Sequence, residues 1–165
     1  MKNPVLRFAL LLTILAGPLL LPAQQTDPAA VRAMVEARNY VFKAQLAYPQ
    51  NGRSINLTTE FDLTVRPDSV IAYLPYFGRA YAAPVDPTEG GIKFTSTDFD
   101  YKLEKQKKRS WEIVITPKDA TGSPQLNLTI FDNGTASLRV NSINRQGITF
   151  RGYVVAGRAD EKKAF

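Results

Sequence analysis

From Ile55 to Arg66 two kinds of residue take strict turns. Ile55, Leu57, Thr59, Phe61, Leu63 and Val65 hold the odd positions, and Asn56, Thr58, Glu60, Asp62, Thr64 and Arg66 hold the even ones. A period of two belongs to a strand, whose successive side chains point to opposite faces. One face in a core and one in water is the signature of an antiparallel sheet, because parallel sheets are covered on both sides. The pattern recurs in Tyr40, Phe42, Ala44, Leu46 and Tyr48, in Ile92 and Phe94, and in Phe99, Tyr101 and Leu103. It recurs again in Trp111, Ile113 and Ile115, in Leu126, Leu128 and Ile130, in Ala136, Leu138 and Val140, and ends with Ile148, Phe150 and Val154.

Only one stretch reads as a helix. Asp27 is an N-cap, Pro28 suits the first helical position, and Val31, Met34, Val35 and Arg38 follow at three- and four-residue spacing. Pro49-Gln50-Asn51-Gly52, Pro67-Asp68 and Asp132-Asn133-Gly134 read as turns. The Asn-Gly pair suits a tight primed hairpin with positive φ. With about eight to ten strands and no crossover helix, the fold class is all-β. The expected form is a single antiparallel meander closed into a β-barrel, with a short N-terminal helix. Closure removes free edges; a two-sheet β-sandwich is the alternative. The core spans about residues 39–154, and the charged tail frays.

Residues 1–23 read as a signal peptide. Lys2 and Arg7 precede an apolar run from Phe8 to Leu21, and Leu21-Pro22-Ala23 supplies a cleavage site near Ala23. The remaining 142 of 165 residues, 24–165, make one domain. Leu15-Ala16-Gly17 resembles the start of a lipoprotein box, but Pro18 stands where the lipid-bearing Cys is required. The expected address is therefore periplasmic or secreted, with no lipid anchor. The charge is +6, or +4 once Lys2 and Arg7 are removed, too mild for nucleic acid.

With no Cys and no His, thiol nucleophiles, histidine bases and Cys/His metal or haem sites are excluded. No catalytic, cofactor or metal residue is expected, and no cofactor. The strand acids Glu60, Asp62, Asp100, Glu104 and Glu112 fall on the outward phase, and Asp86, Glu89 and Asp132 fall in loops without calcium-loop spacing. A carboxylate-dependent hydrolase of envelope glycans is the alternative function. Lys105-Gln106-Lys107-Lys108-Arg109 reads as a solvated hairpin turn, with anionic envelope glycan or lipid as its other reading.

The densest apolar segment is Val70-Ile-Ala-Tyr-Leu-Pro-Tyr-Phe-Gly-Arg-Ala-Tyr81, broken by Pro75 and Gly78. Three readings stay open: a core hairpin turning at Pro75–Gly78, a lid at the barrel mouth, or an exposed partner surface. Tyr73, Tyr76, Phe77, Arg79 and Tyr81 are the candidate ligand or partner surface. The expected function is non-enzymatic: binding a small apolar ligand or an envelope protein.

Asp68 to Tyr81, Gly90-Gly-Ile-Lys-Phe94 and Leu128 to Arg145 together resemble domain-of-unknown-function family 4251, exported proteins of Bacteroidota. The resemblance covers about residues 35–154. It implies a lipocalin-like barrel and brings no activity, cofactor or catalytic residue. Many members carry a lipoprotein Cys, which this chain lacks. In that setting Asp68-Ser69-Val70 also resembles a bacterial O-glycosylation sequence, although it reads equally as a turn.

Overall fold

The computed structural model describes residues 26–81, 90–107 and 109–157. The expected signal segment, the loop acids Asp86 and Glu89, Lys108 and the tail from 158 lie outside the described residues. Helix α1 (Pro28–Ala37) starts as expected, with Asp27 Oδ1 accepting the Ala29 N–H at 3.0 Å. Val31 and Val35 are buried. Arg38 is not on the apolar stripe: it caps the helix in the left-handed region, at φ 50°. That conformation ends the helix and sends the chain into the first strand.

Nine antiparallel strands follow among the described residues: β1 (Tyr40–Pro49), β2 (Ile55–Val65), β3 (Val70–Pro75), β4 (Gly91–Ser96), β5 (Phe99–Lys107), β6 (Ser110–Pro117), β7 (Gln125–Phe131), β8 (Thr135–Ser142) and β9 (Arg145–Ala156). They form one continuous sheet in the order β4-β3-β2-β1-β9-β8-β7-β6-β5. The first and last strands pair, joining two meanders into one. The sheet curls into a nearly closed barrel, open between β4 and β5. Tyr40, Phe42, Leu63, Ile115, Leu138 and Phe150, from five strands, are fully buried and fill the interior.

Two features of β1 and β9 set the curvature. The register of β1 shifts between Ala44 and Leu46 against both neighbours, so Gln45 is a bulge. The bulge reverses the side-chain phase. Ala47 turns inward, while Leu46 and Tyr48, expected inside, are half-buried, and Arg151 lies 5.0 Å over the Tyr48 ring. Opposite Ala44 stands Gly152, where a Cβ would overlap the Lys43 carbonyl. Only glycine permits this close approach of the two strands.

Three further expectations change. Leu103, expected inside, is 46% exposed beside the register shift in β5. The β7–β8 hairpin is present, but Asn133 keeps a negative φ and only Gly134 is left-handed, at 83°. This is the three-residue turn with a glycine bulge, not the primed turn. Asn133 Oδ1 accepts the Thr135 N–H at 3.0 Å and its hydroxyl at 2.7 Å, which supports the wider loop. Asp62, expected in water, is only 6% exposed. Its neighbour across the pair, Lys43, contacts it at 3.3 Å and Glu60 at 3.4 Å. Burial alone lowers the Lys43 pKa, but the two carboxylates outweigh it and the net shift is upward.

At the helix end, the Tyr40 and Tyr101 hydroxyls meet at 3.3 Å and Arg38 lies 4.7 Å over the Tyr101 ring. Burial, then Tyr101, pushes the Tyr40 phenol well above its ordinary range. Burial also raises Tyr101.

Two outcomes follow from this packing. In urea unfolding, Phe42→Ala should cost about 3–5 kcal/mol, and Leu46→Ala about 1 kcal/mol; equal losses would contradict the bulge. Alkali should unfold the protein in a specific way. Below about pH 10 both phenols are neutral in either state. Above it the unfolded chain loses those protons and the folded one keeps them, so stability falls as pH rises. Tyr40→Phe should flatten that slope in denaturation measured between about pH 9 and 12.

Candidate functional site

The aromatic segment divides at Pro75. Before it, Val70, Ala72 and Leu74 face the core, while Ile71 and Tyr73 face out. Proline has no N–H to continue a ladder, and β3 ends there. The chain does not turn back as a tight hairpin. It crosses the turn between β8 and β9 and is tied to it. Ala80 bridges Arg145. The Tyr81 N–H donates to Asn144 O at 2.8 Å, and the Gln146 N–H donates to Arg79 O at 3.1 Å. The Tyr76 hydroxyl lies 2.8 Å from Arg79 O and 3.1 Å from Gln146 O, so it donates between the two strips of backbone. A Cβ at Gly78 would meet that hydroxyl at 2.5 Å, which explains the second interruption.

This strap borders a cavity of ≈ 280 Å³ at the barrel mouth. The other walls are β4, the β6–β7 loop (118–124) and the β8–β9 turn. Ile92, Pro124, Val140 and Ile148 are buried apolar lining. Ser142, Asn144, Arg145, Gln146 and Asp119 bring polar groups. Arg145 is fixed from two sides: its guanidinium lies 4.9 Å over the Tyr76 ring, and Nη1 donates to Gly91 O at 2.9 Å. Burial raises the Tyr76 pKa, against the nearby positive charge of Arg145. The loop wall is held by Ser142 Oγ, which donates to Gly122 O at 2.7 Å. Asp119 Oδ2 accepts the Thr97 N–H at 3.1 Å, and a hydrogen bond from Ser96 keeps the Asp119 carboxyl below its ordinary pKa.

Four of the five expected surface residues come together here. Tyr76 lines the cavity, Arg79 anchors the strap through its main chain, and Phe77 and Tyr81 stand exposed on the rim, at 37% and 69%. Tyr73 does not join them. It lies on the outer face of the barrel, stacked on Phe61 at 5.6 Å with Lys93 5.0 Å over its ring. Sequence reasoning missed Arg145, Asn144, Gln146 and Asp119. The signal was available in Ser142-Ile-Asn-Arg-Gln-Gly147, a polar turn carrying a cation between two strands of otherwise regular alternation.

The carboxylates are scattered. Glu60 and Asp62 share Lys43, Asp100 lies 3.1 Å from Lys118, and Arg109 bonds Asp132 at 2.8 Å. Among the described residues Asp119 is the one carboxylate lining the cavity, and no group of three or more acids could hold a metal ion. Lys105 to Lys107 extend β5, so the turn of the basic run is confined to its end. Ser69 sits in the β2–β3 turn with its hydroxyl on Asp68 at 2.9 Å. A mostly polar lining with an apolar patch and one fixed cation suits reversible binding of a small molecule that has both polar and apolar parts.

Tyr76→Phe should cost about 1 kcal/mol and speed hydrogen exchange at the Tyr81 and Gln146 amides. Unchanged exchange there would mean the hydroxyl does not hold the strap.

The chain belongs to the family described as Domain of unknown function (DUF4251), whose model matches residues 23–154. Its fold is similar to the crystal structure of a DUF4251 family protein from Bacteroides eggerthii DSM 20697. That likeness has a TM-score of 0.56 at 17% identity, covering 78% of this chain and 87% of the other. No curated protein matches the sequence.

Proposed function

We propose that this is an exported binding protein of the cell envelope that takes a small ligand at the barrel mouth and catalyses no reaction on it. The observation that carries the reading is Arg145, stacked on Tyr76 and bonded to Gly91 O beside a cavity lined by polar groups and an apolar patch. A cation fixed in this way is preorganised for a polar or anionic group, at little entropic cost on binding. The filled interior supports placing the ligand at the mouth and not in the lumen. Export rests on the N-terminal pattern of Lys2, Arg7 and the apolar run to Leu21. A hydrolase would need two carboxyl groups about 5 to 9 Å apart across a cleft, whereas Asp119 stands alone among the described lining residues.

A second reading, a protein partner on the rim, is favoured by one observation. Phe77, Tyr81 and Ile143 are exposed large apolar residues at 37%, 69% and 75%, and Tyr81 is bonded to the residue next to Ile143. Native mass spectrometry of the protein purified from its own envelope separates the two. A bound mass of small-molecule size, lost in the cavity-filling variant Val140→Phe with the melting temperature kept, is the expected result. A bound protein lost instead in Phe77→Ala with Tyr81→Ala would favour the partner. Neither species bound would sink both.

A further inference from the structure

The opening of the barrel leaves β4 as an edge strand, and the β2–β3–β4 ladder sets its bonding phase. In the β2–β3 turn the Arg66 N–H bonds Ser69 O at 2.8 Å. Main-chain bonding alternates along an antiparallel ladder. With the β2–β3 register, this bond directs the main-chain groups of Ile71 and Tyr73 at β2, and those of Val70, Ala72 and Leu74 at β4. Their partners across the ladder are Ser96, Phe94 and Ile92. The alternate residues Gly91, Lys93 and Thr95 must therefore point their N–H and C=O away from the sheet.

One contact agrees independently: Gly91 O is taken by Arg145. Just past the strand, the Thr97 N–H is taken by Asp119. Between those capped ends, the main-chain groups of Lys93 and Thr95 face the mouth cavity without a partner among the described residues. Five consecutive residues, Gly91 to Thr95, line that cavity, as expected for a strand presenting its edge and not one face.

We propose that the mouth cavity binds a short peptide with free ends, laid as an added strand antiparallel to the edge of β4. Its amides pair with the main chain of Lys93 and Thr95. Its carboxylate meets Arg145, whose guanidinium carries more donors than the Gly91 bond uses. Its ammonium meets Asp119 at the opposite end. This order of charges fixes the antiparallel direction. The span from Gly91 to Thr95 is roughly 13 Å, room for about four residues. Alternate side chains of such a peptide face the apolar lining at Pro124, Val140 and Ile148, which favours small apolar residues there. Main-chain pairing with selection by alternate side chains is the general mode of strand addition.

The proposal rests on the mouth cavity being a binding site and names what enters it. The probe is a pool of mixed-sequence tetrapeptides with free ends, followed by amide NMR, with an acetylated and amidated pool for comparison. Saturable shifts should centre on residues 91–97 and 144–146, and the Lys93 and Thr95 amides should gain protection from exchange. The capped pool should bind weaker by roughly tenfold or more, through loss of the charge-assisted bonds. Thr95→Pro should weaken binding similarly, because it removes an N–H that faces the cavity and leaves the β3–β4 ladder intact. Thr95→Val, which keeps that N–H, should bind as wild type. No shifts at millimolar peptide, or equal binding by Thr95→Pro, would overturn the proposal. If the peptides fail while native protein still carries a small molecule that Val140→Phe loses, only the ligand class falls. If both fail, the cavity falls as a site.

Discussion

Everything at the mouth depends on how the barrel closes. The chain enters the sheet in its middle, at β1, and builds outward in two directions. β2, β3 and β4 extend one side, and β9 back to β5 extends the other. The seam at β1 and β9 is the most demanding contact. The bulge at Gln45 and the missing side chain of Gly152 let the strands come close enough to bend the sheet. At the far side β4 and β5 are the two ends of the sheet and do not pair, so it stays open there. The edge that results is short, carries Lys93, and is partly covered by the strap and the β6–β7 loop, all of which limit unwanted sheet-to-sheet association.

The strap turns that edge into a cavity. Tyr76 is placed by Pro75, which ends β3, and by Gly78, which leaves room for its hydroxyl. Tyr76 then provides a platform for Arg145, and Arg145 closes the Gly91 end of the edge. Residues far apart in sequence thus form one assembly in which each contact positions the next. Removing the ring removes the platform as well as its own hydrogen bonds, so Tyr76 and Arg145 are expected to couple and not to act additively.

Much of the fold was legible because period-two alternation is a direct projection of the sheet's two faces onto the sequence. The alternation in β6, β7 and β8 predicts Ile113, Leu128 and Leu138 as core, and they are. It fails at Leu46 and Tyr48, because a bulge reverses the phase without changing residue type. It fails at Asp62 for another reason: an outward face is buried wherever neighbouring side chains lie across it. Asn133-Gly134 marks the hairpin but not its geometry, since the dipeptide also fits the three-residue turn. At the site, the aromatic segment was visible from its density and its breaks. Arg145 was not, because a polar turn residue looks the same whether it faces solvent or a cavity. The sequence also groups Tyr73 with Tyr76, whereas strand alternation followed by Pro75 sends them to different places.

The mouth site depends on β4 offering a free, correctly phased edge to the cavity. Residue-resolved amide hydrogen exchange on the ligand-free protein tests it most directly. The amides of Ile92, Phe94 and Ser96 should be protected, with Lys93 and Thr95 exchanging far faster. Lys93 and Thr95 protected as strongly as Phe94 would mean that the edge is already paired, and the site as described would not exist.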